Sequence, residues 1–212
     1  MTVLRLAAAA LAILSAGITA HLAGAESPER ALTTSTGAHG NQPQVDSAKR
    51  QAREQRARDY FGDDVLIDQD GRRLRFFSDL LRERTVLINV IFTHCEDACP
   101  LMTKRLRSVR QQLGPAFGDT VYFLSLSVDP ERDTPDALKA FAERHKADEP
   151  GWRFLVADQT TMTRVLKRLG QWTDDPQDHT TLLIAGNASK AHWTKLRPDA
   201  SPLQIADQLL RF

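Results

Sequence analysis

The chain holds two cysteines, and they fall four positions apart in Thr93-His94-Cys95-Glu96-Asp97-Ala98-Cys99-Pro100, between an apolar run and an amphipathic segment. A crosslink stabilises a fold mainly by restricting the unfolded chain, and its effect grows with the loop it closes. So short a loop gains little in that way, which points to chemistry instead: thiol–disulfide exchange, or soft-metal binding through sulfur. Pro100 suits a first helical turn and disfavours a helical residue before it, so Cys99 is expected to cap a helix and Cys95 to lie in the loop ahead of it. The positive end of a helix favours thiolate, the form that attacks disulfides and binds metals. A structural disulfide or an inert pair is the plainer alternative, and spacing alone does not separate the two.

Copper(I) prefers sulfur, and two cysteines on one loop leave a trigonal or tetragonal site short of a third ligand, commonly histidine. His179, in Asp178-His179-Thr180, precedes an apolar strand signal, where a thioredoxin-type arrangement returns the chain toward the cysteine loop. His94 adjoins Cys95 on extended chain, where neighbouring side chains diverge, so a solvent-facing or supporting place is expected. His145 on a helix and His192 in a strand read as packing or surface residues, and His21 and His39 lie outside the expected fold. Met102 offers a thioether one turn beyond Cys99, but it belongs to an apolar stripe and is expected in the core.

These residues must be positioned by one domain: 212 residues with 42% hydrophobic content suffice for a single well-buried core. Lys+Arg 28 against Asp+Glu 27 leaves no electrostatic footprint for nucleic acid. Residues 1–25 combine Arg5, an apolar run over 6–18 and Ala23-Gly24-Ala25, the layout of an export signal, with an uncleaved membrane anchor as the rival reading. Either way the rest is expected to be periplasmic or otherwise extracytoplasmic, soluble or anchored at the inner membrane. There thiols persist as disulfides unless a reductant or a metal holds them otherwise. Residues 26–58 are polar and charged and read as a flexible linker, with room for a solvated helical stretch that has little to bury.

The folded domain is expected over residues 59–212. Residues 65–67 and 74–76 flank Asp68-Gln69-Asp70-Gly71, a hairpin signal at the start. Residues 85–92 (TVLINVIF) read as a central strand covered on both faces, and 121–128 as a second strand. Between them Met102, Leu106, Val109 and Leu113 recur at helical spacing. A helix opened by Thr134-Pro135 buries Leu138, Phe141 and Ala142, and one capped by Asp158 buries Met162, Val165, Leu166 and Leu169 before stopping at Gly170. After a short strand at 154–156, residues 181–185 and 192–196 are expected to pair about Gly186-Asn187. Ser201-Pro202 then opens a last helix with Ile205, Leu209 and Leu210 inward. The order implies an α/β domain of thioredoxin type, a mixed sheet flanked by helices with an extra N-terminal hairpin.

Residues 59–212 resemble the SCO/SenC family of copper-binding, thioredoxin-fold proteins that take part in assembling cytochrome oxidase copper centres. The resemblance rests on Phe92 through Pro100, on Ser127-Val128-Asp129-Pro130-Glu131-Arg132-Asp133-Thr134-Pro135, on Gly151-Trp152-Arg153-Phe154-Leu155, and on His179 before an apolar strand. It implies copper as the metal, Cys95, Cys99 and His179 as its ligands, and an oxidase subunit or another cuproprotein as partner. Glu96 stands where many relatives have proline and Thr180 where serine often follows the histidine, which bears on redox tuning and leaves the ligand set intact. Asp129 falls at a strand end facing the expected site, where it either influences metal or partner or only forms an Asp-Pro turn, and Asp133 reads as a turn or cap residue.

Two functions follow. One is a metallochaperone; the other is a thiol-disulfide reductase in which Cys95 attacks a partner disulfide, Cys99 resolves it and a thioredoxin-like reductant restores the pair. A peroxidase would want threonine three residues before the attacking cysteine, whereas Thr93 is two before Cys95. A cysteine hydrolase lacks a recognisable oxyanion site.

Overall fold

The structure, a computed structural model, describes residues 42–212, with side chains from residue 46 onward. The expected signal or anchor over residues 1–25 and the first part of the linker lie outside the described residues. Seven strands form one sheet: β1 (Val65–Asp68), β2 (Arg73–Arg75), β3 (Thr85–Ile91), β4 (Val121–Ser127), β5 (Trp152–Val156), β6 (Leu183–Asn187) and β7 (His192–Leu196). Their order is β2-β1-β5-β4-β3-β6-β7, parallel across β3, β4 and β5 and antiparallel at every other pairing. Five helices accompany them among the described residues: α1 (Gln42–Phe61), α2 (Ala98–Leu113), α3 (Pro135–Arg144), α4 (Gln159–Leu169) and α5 (Pro202–Leu210). This is the thioredoxin-like mixed sheet with its leading hairpin. No helix among the described residues is long and apolar enough to cross a membrane.

The central strand is buried along its whole length, which is why it reads as a near-continuous apolar run. The oxygen of its one amide, Asn89, ends a short polar chain, in which Trp152 Nε1 donates to Ser125 Oγ (2.9 Å) and Ser125 Oγ donates to Asn89 Oδ1 (2.8 Å), while Asn89 Nδ2 is buried without a partner among the described residues. The caps fall where the sequence puts them. Thr134, Asp158 and Ser201 each accept from an amide in the first turn of α3, α4 and α5, and Gly170 closes α4 in the left-handed region at φ 64°.

Four details differ from the sequence reading. Residues 42–58 are helical, and the C-terminal end of α1 does find something to bury: Phe61 enters the core, Ala57 packs against it, and Tyr60 Oη donates to the Arg168 carbonyl (2.9 Å). Phe76 leaves the hairpin to start a π-helical turn, Phe76–Leu81, because Phe76, Phe77, Leu80 and Leu81 all go inward, a spacing that alternation cannot satisfy. In α5 the inward set is Ile205, Ala206 and Leu209, and Leu210 is exposed.

The last difference concerns Gly186, expected in a turn but lying inside β6 opposite Trp193; the chain reverses after Asn187 instead. A Cβ there would meet the Trp193 ring at 2.2 Å and the His192 carbonyl oxygen at 2.8 Å, so the glycine is required for close approach of an indole. Gly186→Ala is therefore expected to destabilise the domain by about 1–3 kcal/mol, the range for overpacking. A thermal or urea unfolding curve superimposing on that of the parent chain would contradict this role.

Candidate metal centre

β3 delivers the chain to Phe92, and the loop that follows is held from β4's side of the sheet. Thr93 donates twice to Asp133 Oδ1, from its amide (3.1 Å) and its hydroxyl (2.6 Å), while Ser127 Oγ donates to Asp133 Oδ2 (2.6 Å). Asp133 is buried; its amide closes the turn from Asp129 (2.9 Å), as its sequence suggested, and its carboxylate adds a tether. Asp129 is buried too, but its carboxylate engages Arg132 (2.6 Å). Because the Thr93 hydroxyl is committed to Asp133, it is not free to hold a peroxide at Cys95.

The helix begins two residues earlier than expected. Asp97 is the cap of α2 without a side-chain bond to the first turn; Cys99 lies inside that turn, and Pro100 occupies a position whose missing amide costs nothing. The capping role falls to sulfur instead: Cys95 Sγ accepts from the Cys99 amide at 3.3 Å. Cys99 heads the buried stripe of α2 with Thr103, Leu106, Val109 and Leu113, and Thr103 Oγ1 donates back to its carbonyl (2.8 Å). Met102 is half-buried against the same core, as a packing residue should be. The two cysteines are unbridged and unequal, Cys95 half-buried and Cys99 buried.

His179 comes from the other side of β3. Asp175 caps a one-turn 3₁₀ helix, Pro176–Asp178, by accepting from the Gln177 amide (2.9 Å), and His179 follows it directly. Its Nδ1 meets the Pro176 carbonyl at 2.8 Å; a carbonyl only accepts, so Nδ1 carries a proton and Nε2 is the nitrogen left to offer a lone pair. Phe92 meets the imidazole edge to face, with centroids 5.4 Å apart at 89°. The free nitrogen then stands 3.7 Å from Cys99 Sγ, across 80 residues of sequence. For bonds of roughly 2.3 Å to sulfur and 2.0 Å to nitrogen, ligand angles between tetrahedral and trigonal separate the two atoms by about 3.5–3.7 Å. The observed spacing fits one ion between them.

Among the described residues no group of three His, Cys, Asp or Glu side chains stands ready to hold an ion, and Cys95 is engaged with the Cys99 amide. His94 is exposed beside Thr93, His192 stacks on Phe212 (4.5 Å), and His145 packs on Phe141 (4.4 Å), so none of them joins the site. Asp133, Phe92 and the Asp175-capped turn are supports that the sequence reading passed over. The Asp-Pro pair at 175–176, a cap followed by a first-turn proline, was the available signal for the last.

Burial pushes the Cys99 thiol up, with the neighbouring Cys95 and Asp133 adding to the effect and the Phe92 backbone opposing it. This reverses the expectation of thiolate character for Cys99: the desolvation of a buried sulfur outweighs its place at a helix start. In the reduced, metal-free chain, iodoacetamide should modify Cys95 at least about tenfold faster than Cys99 near neutral pH. Labelling of Cys99 should rise as the pH is raised toward its elevated pKa; equal rates at neutral pH would refute the asymmetry. Asp133→Ala strands the buried Ser127 hydroxyl and the part-buried Thr93 amide and should cost at least about 2 kcal/mol in unfolding free energy. It should also narrow the labelling difference, and an unchanged ratio would show that Asp133 does not hold the loop.

The family described as SCO1/SenC matches residues 52–211. A Bacillus subtilis protein named SCO1 protein homolog is 38% identical over 89 residues, 42% of this chain and 45% of that protein, so the chain spans less than half the length of this curated relative. A solved structure of Bradyrhizobium japonicum ScoI with copper bound is 27% identical, with a TM-score of 0.59 over 69% of this chain and 95% of the other. A structure of BsSco, described as a member of the Sco family of cytochrome c oxidase assembly proteins in which a disulfide switch is identified, is 25% identical. It has a TM-score of 0.60 over 70% of this chain and 90% of its own.

Proposed function

The chain belongs to the SCO1/SenC family, and from that premise we propose that it is an exported copper-binding metallochaperone that serves a cytochrome oxidase subunit or another cuproprotein. Copper is held by Cys95, Cys99 and His179. The observation that carries this reading is the 3.7 Å approach of His179 Nε2 to Cys99 Sγ, with Nδ1 pinned to Pro176 so that Nε2 faces the sulfur. The pinning carbonyl is the kind of outer partner that fixes tautomer and ring orientation in metal sites. Copper supplies a strong, soft attraction for thiolate. As the ion arrives, Cys95 Sγ turns from the Cys99 amide to become the third ligand, and the buried Cys99 gives up its proton. Residues 1–25 direct the chain out of the cytosol or anchor it there, in keeping with thiols that need a metal or a reductant to stay useful. A relative with copper bound and another described among oxidase assembly proteins support the choice of metal and of partner.

A second reading rests on the unequal cysteines. Half-exposed Cys95 attacks a partner disulfide and buried Cys99 then displaces the partner's thiolate, so two electrons leave the pair as Cys95–Cys99 closes. A thioredoxin-like reductant restores the dithiol. Both functions share one site, and reduction of a recipient's cysteines before loading would join them.

Titration of the reduced chain with copper(I) against a chelator, with His179→Ala alongside, tests the first reading. The variant should lose more affinity than the roughly 10–100-fold that removing a supporting residue costs. Equal binding by parent and variant would remove His179 from the ligand set and the chaperone assignment with it. Disulfide reduction by the same variant should persist within a few-fold, and its loss would count against a separate reductase activity.

A further inference from the structure

A groove of about 400 Å³ runs from the start of α2 to the end of α3, its lining including Asp97 and Pro100 of the cysteine segment, Leu101, and the cations Lys104, Arg107, Arg144 and Lys146. Leu101 is 69% exposed, two residues beyond Cys99. On a helix, positions 97, 101 and 104 share one face, so Leu101 and Lys104 look the same way as the start of the cysteine turn. Among the described residues none of the four cations has a carboxylate partner, although Arg110 one turn on is paired with Glu149 (2.6 Å). The chain as a whole is nearly neutral, so this excess of positive charge is local.

An exposed apolar side chain in a groove with four unpaired cations and the single carboxylate of Asp97 has the anatomy of an interface: an apolar centre, a mainly positive rim and a field that steers an oppositely charged partner. We propose that this surface docks the protein with which the cysteines exchange metal or disulfide, and that the partner presents an acidic patch around an apolar contact for Leu101. The inference rests on the exchange role given above to Cys95. A partner seated on Leu101 lies on the first turn of α2, the turn whose Cys99 amide that sulfur caps. Asp97 lies in the same groove, and Glu96 is exposed beside Cys95, so the acidic preference must come from the cations farther along α2 and at the end of α3. His145 contributes no charge at neutral pH, since burial and the adjacent Arg144 hold its imidazole below the usual range.

Two synthetic peptides test this, alike except that the glutamates of one are lysines in the other, each carrying a pyridyl disulfide on a terminal cysteine. Cys95 thiolate attacks the peptide sulfur, a protein–peptide disulfide forms, and pyridine-2-thione leaves with the electron pair and is read by absorbance. The reduced, copper-free full chain is used, so the result is independent of whether copper binds. At low salt the acidic peptide should react at least about tenfold faster than the basic one, and the advantage should fade as salt screens it. Lys104→Glu with Arg144→Glu should abolish or invert the preference while leaving the rate with uncharged dipyridyl disulfide unchanged, which also shows that the variant is folded. Equal rates for the two peptides, faster reaction with the basic peptide, or a preference that survives the double substitution would overturn the proposal. So would sedimentation showing that the parent chain self-associates through this face and the variant does not.

Discussion

The antiparallel pairing of β6 with β3 is the constraint on which the site depends. Ile88 stands opposite Ile184, and the same register continued past the strand end sets Phe92 against Thr180. The segment leaving β3 and the segment entering β6 are thereby made neighbours, whatever their own sequences prefer. Cysteine after the one and histidine before the other then meet, and the edge-to-face contact of Phe92 with His179 is the first consequence of that register.

β4 supplies the second support. It runs parallel to β3 with Ser127 beside Ile91, so the loop after β4 emerges at the same edge of the sheet as the loop after β3. Asp133 uses that proximity to bind Thr93 from below the cysteine turn. The site thus stands on the carboxyl ends of two parallel strands and the amino end of an antiparallel one, a place where open α/β sheets commonly put their chemistry because adjoining connections diverge there and leave a crevice.

Within that frame the two sulfurs are made unlike. Cys99 is drawn into the core as the head of the apolar stripe of α2, and its desolvation opposes charge; Cys95 remains at the surface and takes the place of a helix cap. One sulfur is therefore within reach of solvent and the other is enclosed by the core. A metal ion and a disulfide both satisfy such a pair, since each removes the cost of a buried thiolate by giving its sulfur a bond.

Much of this was legible from residue order alone. The Cys-x-x-x-Cys spacing ahead of a proline, the apolar run of β3, and the caps at Thr134, Asp158 and Ser201 are local signals, written in neighbouring residues and decided by short-range sterics and hydrogen bonding. Gly186 and Phe76 were misread, and the tether at Asp133 was missed, because these roles are set by partners far along the chain: an indole in the adjacent strand, a core that takes both faces of a turn, and a threonine 40 residues away. The residue types and the strands were determined by sequence. Which histidine nitrogen faces which sulfur, and at what distance, was decided only when β6 settled against β3, because hydrogen-bond register acts between segments that no local pattern connects.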